Sequence, residues 1–119
     1  MMLPSTLRVF VATRPIDLRI SFDRLAGIVR DQFGDDPRSG ALFFFTNKAS
    51  DRCKILFFDR TGYCLLYKRL DAGTFQLPVP KDSADAGVSL ESEAFARLLE
   101  GVAYEMDAST GKRIRRRIH

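Results

Sequence analysis

Four cations flank two apolar segments between Asp51 and Leu70: Arg52 and Lys54 at the start of DRCKILFFDRTGYCLLYKRL, Lys68 and Arg69 at its end. Guanidinium and ammonium groups gathered at one end of a hairpin bind phosphate oxygens through charge-assisted hydrogen bonds. Arg60-Thr61-Gly62 predicts the hairpin, with a three-residue loop and Gly62 at the position that needs a positive φ. On that register Asp59 faces Tyr63, Phe58 faces Cys64, Leu56 faces Leu66 and Lys54 faces Lys68. Like charges directly opposed repel. The two lysines therefore splay into water, are neutralised by Asp51 or Asp71, or stand ready for an anion. Tyr63 and Tyr67 fall on the opposite face, as core residues rather than as platforms for stacked bases.

A second group of cations closes the chain. Lys112, Arg113, Arg115, Arg116 and Arg117 are five cations in six positions, a density that favours phosphate contacts. The net charge of +4 conceals a three-part pattern. Residues 1–70 carry 12 Lys or Arg against 7 Asp, residues 71–106 carry 2 against 7 acids, and residues 107–119 carry 5 against 1. A basic body and a basic tail separated by an acidic segment point to a polyanionic partner, DNA foremost.

Catalytic alternatives have little to build on. The single histidine is His119, the last residue, so neither a His-based general base nor a Ser/His/Asp triad has a foothold. Cys53 and Cys64 lie, on the register above, on opposite faces of neighbouring strands; neither a disulfide between them nor a zinc site is expected, and free thiols suit a cytoplasmic protein. A magnesium nuclease needs converging carboxylates, and the first Glu is Glu91. Asp51 and Asp59 sit at opposite ends of one strand, about 25 Å apart. Asp17 and Asp23 could approach each other, but a turn aspartate and a first-turn helix aspartate account for them better. The expectation is thus no catalytic residue, no metal and no cofactor. Arg8 interrupts the apolar start of the chain and no run of about 18 apolar residues follows, so neither a signal peptide nor a membrane span is expected.

The elements that position these residues read as an α+β domain: an antiparallel sheet of four to five strands, one helix after the first strand, and a C-terminal helix. Leu7 to Ala12 predicts a strand, and Pro15 interrupts the connection that follows. Ser21 caps a helix whose apolar stripe is Phe22, Leu25, Ile28, Val29 and Phe33, with Gly34 ending it. Ala41 to Thr46 is a strand, and Thr74 to Leu77 an edge strand closed by Pro78 and Pro80. Because ALFFF and ILFF are apolar at successive positions, these strands need cover on both faces, from helices, a second sheet or another copy of the chain. The organisation is a core over 1–78, a linker over 79–89, a helix over 90–106 capped by Ser89 or Ser92, and a disordered basic tail over 107–119.

The order of several short words resembles the small accessory (TnpB) proteins of the bacterial insertion-sequence-sixty-six family, which are unrelated to the RNA-guided nuclease of the same name. They are Arg8-Val9-Phe10-Val11-Ala12, Pro15-Ile16-Asp17-Leu18-Arg19, Phe22-Asp23-Arg24-Leu25-Ala26, Asp36-Pro37-Arg38-Ser39-Gly40, Leu42-Phe43-Phe44-Phe45, Asp51-Arg52-Cys53-Lys54-Ile55-Leu56 and Tyr67-Lys68-Arg69-Leu70. Leu98-Leu99-Glu100-Gly101 is similar to that family's closing helix. The chain departs at Leu18-Arg19-Ile20-Ser21, where the family usually has Met-Arg-Lys-Gly, and at Phe58, where it often has Trp or Tyr. The resemblance implies a noncatalytic partner in transposition that acts beside a transposase encoded by the same element. Its expected contacts are the DNA of the element ends, through Arg52, Lys54, Lys68, Arg69 and the basic tail, and the transposase. The rival expectation is a protein-interaction module without direct DNA contact; a nuclease using Asp17 and Asp23 comes last.

Overall fold

The computed structural model describes residues 7–106 and 113–117, with side chains over 7–102. A five-stranded sheet runs in the order β4-β3-β2-β1-β5, from β1 (Val9–Ala12), β2 (Leu42–Thr46), β3 (Arg52–Asp59), β4 (Gly62–Arg69) and β5 (Gly87–Leu90). Helix α1 (Phe22–Ile28) follows β1 and continues into a π-helical turn over Val29–Phe33; α2 (Ser92–Glu100) follows β5. The expected α+β class stands, with one refinement. Three of the strand pairs are antiparallel, but β1 and β2 are parallel, as the crossover through α1 between them requires.

The unbroken apolar strands are covered on both faces from within the chain. One face presents Ala12, Phe43, Phe45 and Leu56 to Leu25, Ala26 and Val29 of the α1 segment, all buried. The other presents Val9, Val11, Phe44, Cys53 and Ile55 to Phe75 and to Phe95 and Leu98 of α2. Phe44 is the pivot of that layer, with the rings of Phe75 and Phe95 edge-on at 5.5 and 5.9 Å. Fully burying side chains of this size stabilises by about 1.5–3 kcal/mol each before entropy is counted.

The first helix ends as expected, at Gly34 with φ +65°. Its Ser21 N-cap makes no side-chain hydrogen bond, and Phe22, assigned to the apolar stripe, is 41% exposed. Residues 87–90, expected to close a linker and open a helix, instead pair with β1 (Val9 opposite Leu90, Ala12 opposite Gly87). This strand supplies the partner that the outer edge of β1 would otherwise lack. The edge strand expected over 74–77 reduces to a single bridge between Thr74 and Val102, while Phe75 anchors the segment in the core.

The helix expected over 90–106 stops at Glu100. Gly101 takes φ +75°, where a side chain would be strained, and a Cβ there would stand 2.6 Å from Leu70 Cδ1. Beyond it, β6 (Val102–Met106) pairs antiparallel with β7 (Arg113–Arg117), matching Val102 with Arg117 and Met106 with Arg113. The basic tail expected to be disordered thus contains a strand, paired with β6. Lys112 and His119 lie outside the described residues.

Candidate nucleic-acid interface

The decisive feature is the register of the β3–β4 hairpin. Asp59 pairs with Gly62, not with Tyr63, so the loop has two residues, Arg60 and Thr61. The positive φ falls on Arg60 (+21°) and Gly62 belongs to the strand. Thr61 N–H donates back to the Asp59 carbonyl, tightening the turn. A slip of one residue sends every side chain of β4 to the other face relative to β3. The facing pairs become Arg52 with Arg69, Cys53 with Lys68, Lys54 with Tyr67, Leu56 with Leu65, and Phe58 with Tyr63.

Lys54 and Lys68 therefore do not face each other, and the expected like-charge pair does not form. Lys68 lies on the α2 side, where its half-buried ammonium donates to the Leu99 carbonyl at 2.7 Å. A cation there satisfies a carbonyl that the last turn of α2 leaves unpaired and meets the negative end of the helix dipole. Lys54 lies on the α1 side and donates to the carbonyl of Ile20 at 2.9 Å, tying the lead into α1 to the sheet. Its ammonium also sits 5.3 Å from the centre of the Tyr67 ring. The tyrosine expected in the core is in fact 55% exposed.

The same register brings Arg52 and Arg69 directly opposite each other on the α1 side. Leu70 N–H donates to the Asp51 carbonyl at 2.8 Å, so the next pair inward is a non-hydrogen-bonded one, in which Cα atoms approach to about 4.5 Å. Both arginines are exposed, and among the described residues neither forms an ion pair. Asp51, offered above as a neutraliser of the two lysines, is held by Asn47, whose Nδ2 donates to its carboxylate at 2.7 Å while Oδ1 accepts from the Asp51 and Arg52 N–H groups. Arg52, Tyr67 and Arg69 line one shallow depression; Arg52, Tyr67 and Lys54 line a second with Asp17, Arg19 and Asn47.

Asp17 fills the turn role. Its carboxylate accepts the Arg19 N–H at 3.0 Å and the Arg19 guanidinium at 2.6–3.0 Å. These hydrogen bonds bring its pKa down to about 2 and raise that of Arg19. A carboxylate so engaged is not poised as a metal ligand, and among the described residues no three His, Cys, Asp or Glu side chains form a metal-binding group.

The cysteines also change sides. Cys64 pairs with Phe57, two steps along the face that carries Cys53, so both thiols lie on the α2 face. Distance rather than direction separates them, since four residues along a strand span about 13 Å. Both are free; burial pushes the Cys53 thiol up to about 12.

Tyr67 and Arg19 are the members that sequence reasoning left out. The fold is a small α+β domain whose α1 side exposes two opposed arginines, without an ion pair among the described residues, beside an open aromatic ring, a surface chemically suited to a polyanion. The chain belongs to the IS66 Orf2-like protein family, whose model matches residues 7–108. It is 34% identical over 96 residues to the uncharacterized protein y4jC of Sinorhizobium fredii, covering 81% of this chain and 80% of that one. A second uncharacterized protein of that organism, y4hO, is 34% identical over 112 residues, covering 92% and 94% of the two chains. No solved structure matches the chain. Membership places the protein among the accessory proteins of insertion-sequence transposition, a family not known for catalysis. No helix among the described residues is long and apolar enough to cross a membrane.

Proposed function

We propose that the protein is a noncatalytic accessory subunit that binds the DNA of its insertion element through Arg52, Arg69 and the basic strand at its C-terminus, and that it acts beside the transposase of the same element. The observation that carries the DNA contact is the opposed arginine pair. Two guanidinium groups held across one ladder repel each other, and a phosphate between them turns that repulsion into two charge-assisted contacts. Lys54 contributes its charge from the floor of the hollow, while Lys68, turned to the other face and committed to α2, leaves the set. The tail cations Lys112, Arg113, Arg115, Arg116 and Arg117 supply the nonspecific share of affinity.

Anisotropy titration tests this with a duplex carrying the element's terminal sequence and a scrambled duplex, across salt concentrations, with and without the transposase. Each phosphate contact contributes about 0.9 to the slope of log affinity against log salt. Replacing Arg52 and Arg69 by Ala flattens the slope by about 1.8, and replacing the five tail cations by Gln flattens it by about 4.5. Unchanged slopes in both variants would leave the protein-interaction module as the better account. Tighter binding of the terminal duplex only when transposase is present would mark the complex of the two proteins as the specific reader.

A further inference from the structure

Phosphate contacts alone do not use the ring of Tyr67. Tyr63 and Leu65, which precede it on the same face of β4, pack against the core under α1, whereas Tyr67 is 55% exposed. The strand thus passes from core residues to an open phenol at the point where its neighbours become Lys54, Arg52 and Arg69. Lys54, fixed by the Ile20 carbonyl, lies against one side of the ring. Tyr67 also forms a wall of the depression that contains both arginines.

A ring flanked by cations offers two kinds of contact within one nucleotide's reach: a π surface for a base and charge for its phosphate. A paired base cannot use the first, because its faces are stacked within the duplex. An unpaired base can, and stacking on an aromatic side chain tolerates any base. We infer that the α1 side of the hairpin binds unpaired DNA, with a base stacked on Tyr67 and the adjoining phosphate between Arg52 and Arg69. This rests on the nucleic-acid reading above and narrows it to single-stranded substrate. The basic strand Arg113–Arg117 carries no such role, since charge alone serves duplex and single strand alike.

The test compares oligothymidylate with a blunt duplex of equal length at matched salt, using the full chain and its Y67A, Y67F and R52A/R69A variants. Loss of one stacked base corresponds to about 1–3 kcal/mol, so Y67A should lower the ratio of single-strand to duplex affinity by about 5- to 150-fold. Y67F should restore the ratio, since the ring and not the hydroxyl does the stacking. R52A/R69A should weaken both ligands. A ratio that Y67A leaves unchanged overturns the inference while leaving duplex binding intact. Failure of the full chain to bind either ligand overturns the nucleic-acid reading and this inference together. Equal thermal midpoints of Y67A and the parent chain show that the fold is retained at this exposed position.

Discussion

Arg52 and Arg69 face each other across the β3–β4 ladder, in a non-hydrogen-bonded pair on the side of the sheet that carries α1. Such an arrangement opposes stability, so removing the repulsion should have opposite effects on folding and on binding. Arg69→Glu replaces a like-charge pair with an attractive one, worth about 0.2–1 kcal/mol, and should raise the melting temperature by up to about 4 °C. The same substitution should weaken DNA binding and flatten its salt dependence. Thermal denaturation and anisotropy on one preparation check both; a variant that is less stable, or binds as tightly, contradicts the assignment.

Lys68 makes the contrasting case. Its ammonium holds the Leu99 carbonyl at the end of α2, on the face away from the arginine pair. Lys68→Met keeps most of the stem and should cost about 1–2 kcal/mol of stability. The slope of DNA affinity against salt should stay as in the parent chain. Urea unfolding gives the first quantity and a salt titration the second; a flattened slope would return Lys68 to the DNA surface.

The two thiols should differ in reactivity. Cys53 is buried against the α2 layer with its pKa raised to about 12, and Cys64 is half-buried. At pH 8 a thiol-specific disulfide reagent should label Cys64 and reach Cys53 only after denaturant is added. In the unfolded chain Cys53 titrates near the ordinary thiol value of 9.0. Above that value the unfolded state binds fewer protons than the folded one, so the linked stability falls from about pH 9 toward pH 12. Cys53→Ala should remove that component of the alkaline loss, as read from unfolding midpoints across the range.

Asp17 restrains a cation at the rim of the same hollow. Its carboxylate is engaged by Arg19 and, with a pKa near 2, stays charged at any working pH. Asp17→Asn should leave stability nearly unchanged, because the pair is exposed. By releasing Arg19 and removing a negative charge, it should tighten DNA binding at low salt, with the gain vanishing at high salt. Weaker binding in this variant would mean that the Asp17 turn shapes the hollow rather than restraining it.

Much of the architecture was legible in the chain because burial leaves plain marks. The double-sided runs ALFFF and ILFF announced strands covered on both faces, and Gly34 announced the end of the first helix. Arg52 and Arg69 stood out as candidate site residues from their place at the hairpin's end. Their partnership was not, because it depends on a single residue in the turn. Gly62 offered itself as the left-handed loop residue, but Arg60 takes that conformation and the register moves by one. That step turned Tyr67 outward, parted the two lysines and placed the two thiols on one face. The strand Gly87–Leu90 escaped notice for another reason: four residues beside a stretch rich in Asp, Ala, Pro and Gly carry too little pattern to be told from a connector.

The strand order also bears on the chain as it is being made. The meander β2-β3-β4 joins near neighbours, whereas the outer edge of β1 is closed only by β5. Synthesis runs from the N-terminus, so Val9–Ala12 must wait until residue 90 has left the ribosome before its second edge is paired. Throughout that interval the nascent protein carries the β3–β4 hairpin already complete beside an open apolar strand. A product released before residue 90 would keep that edge exposed and be prone to aggregate.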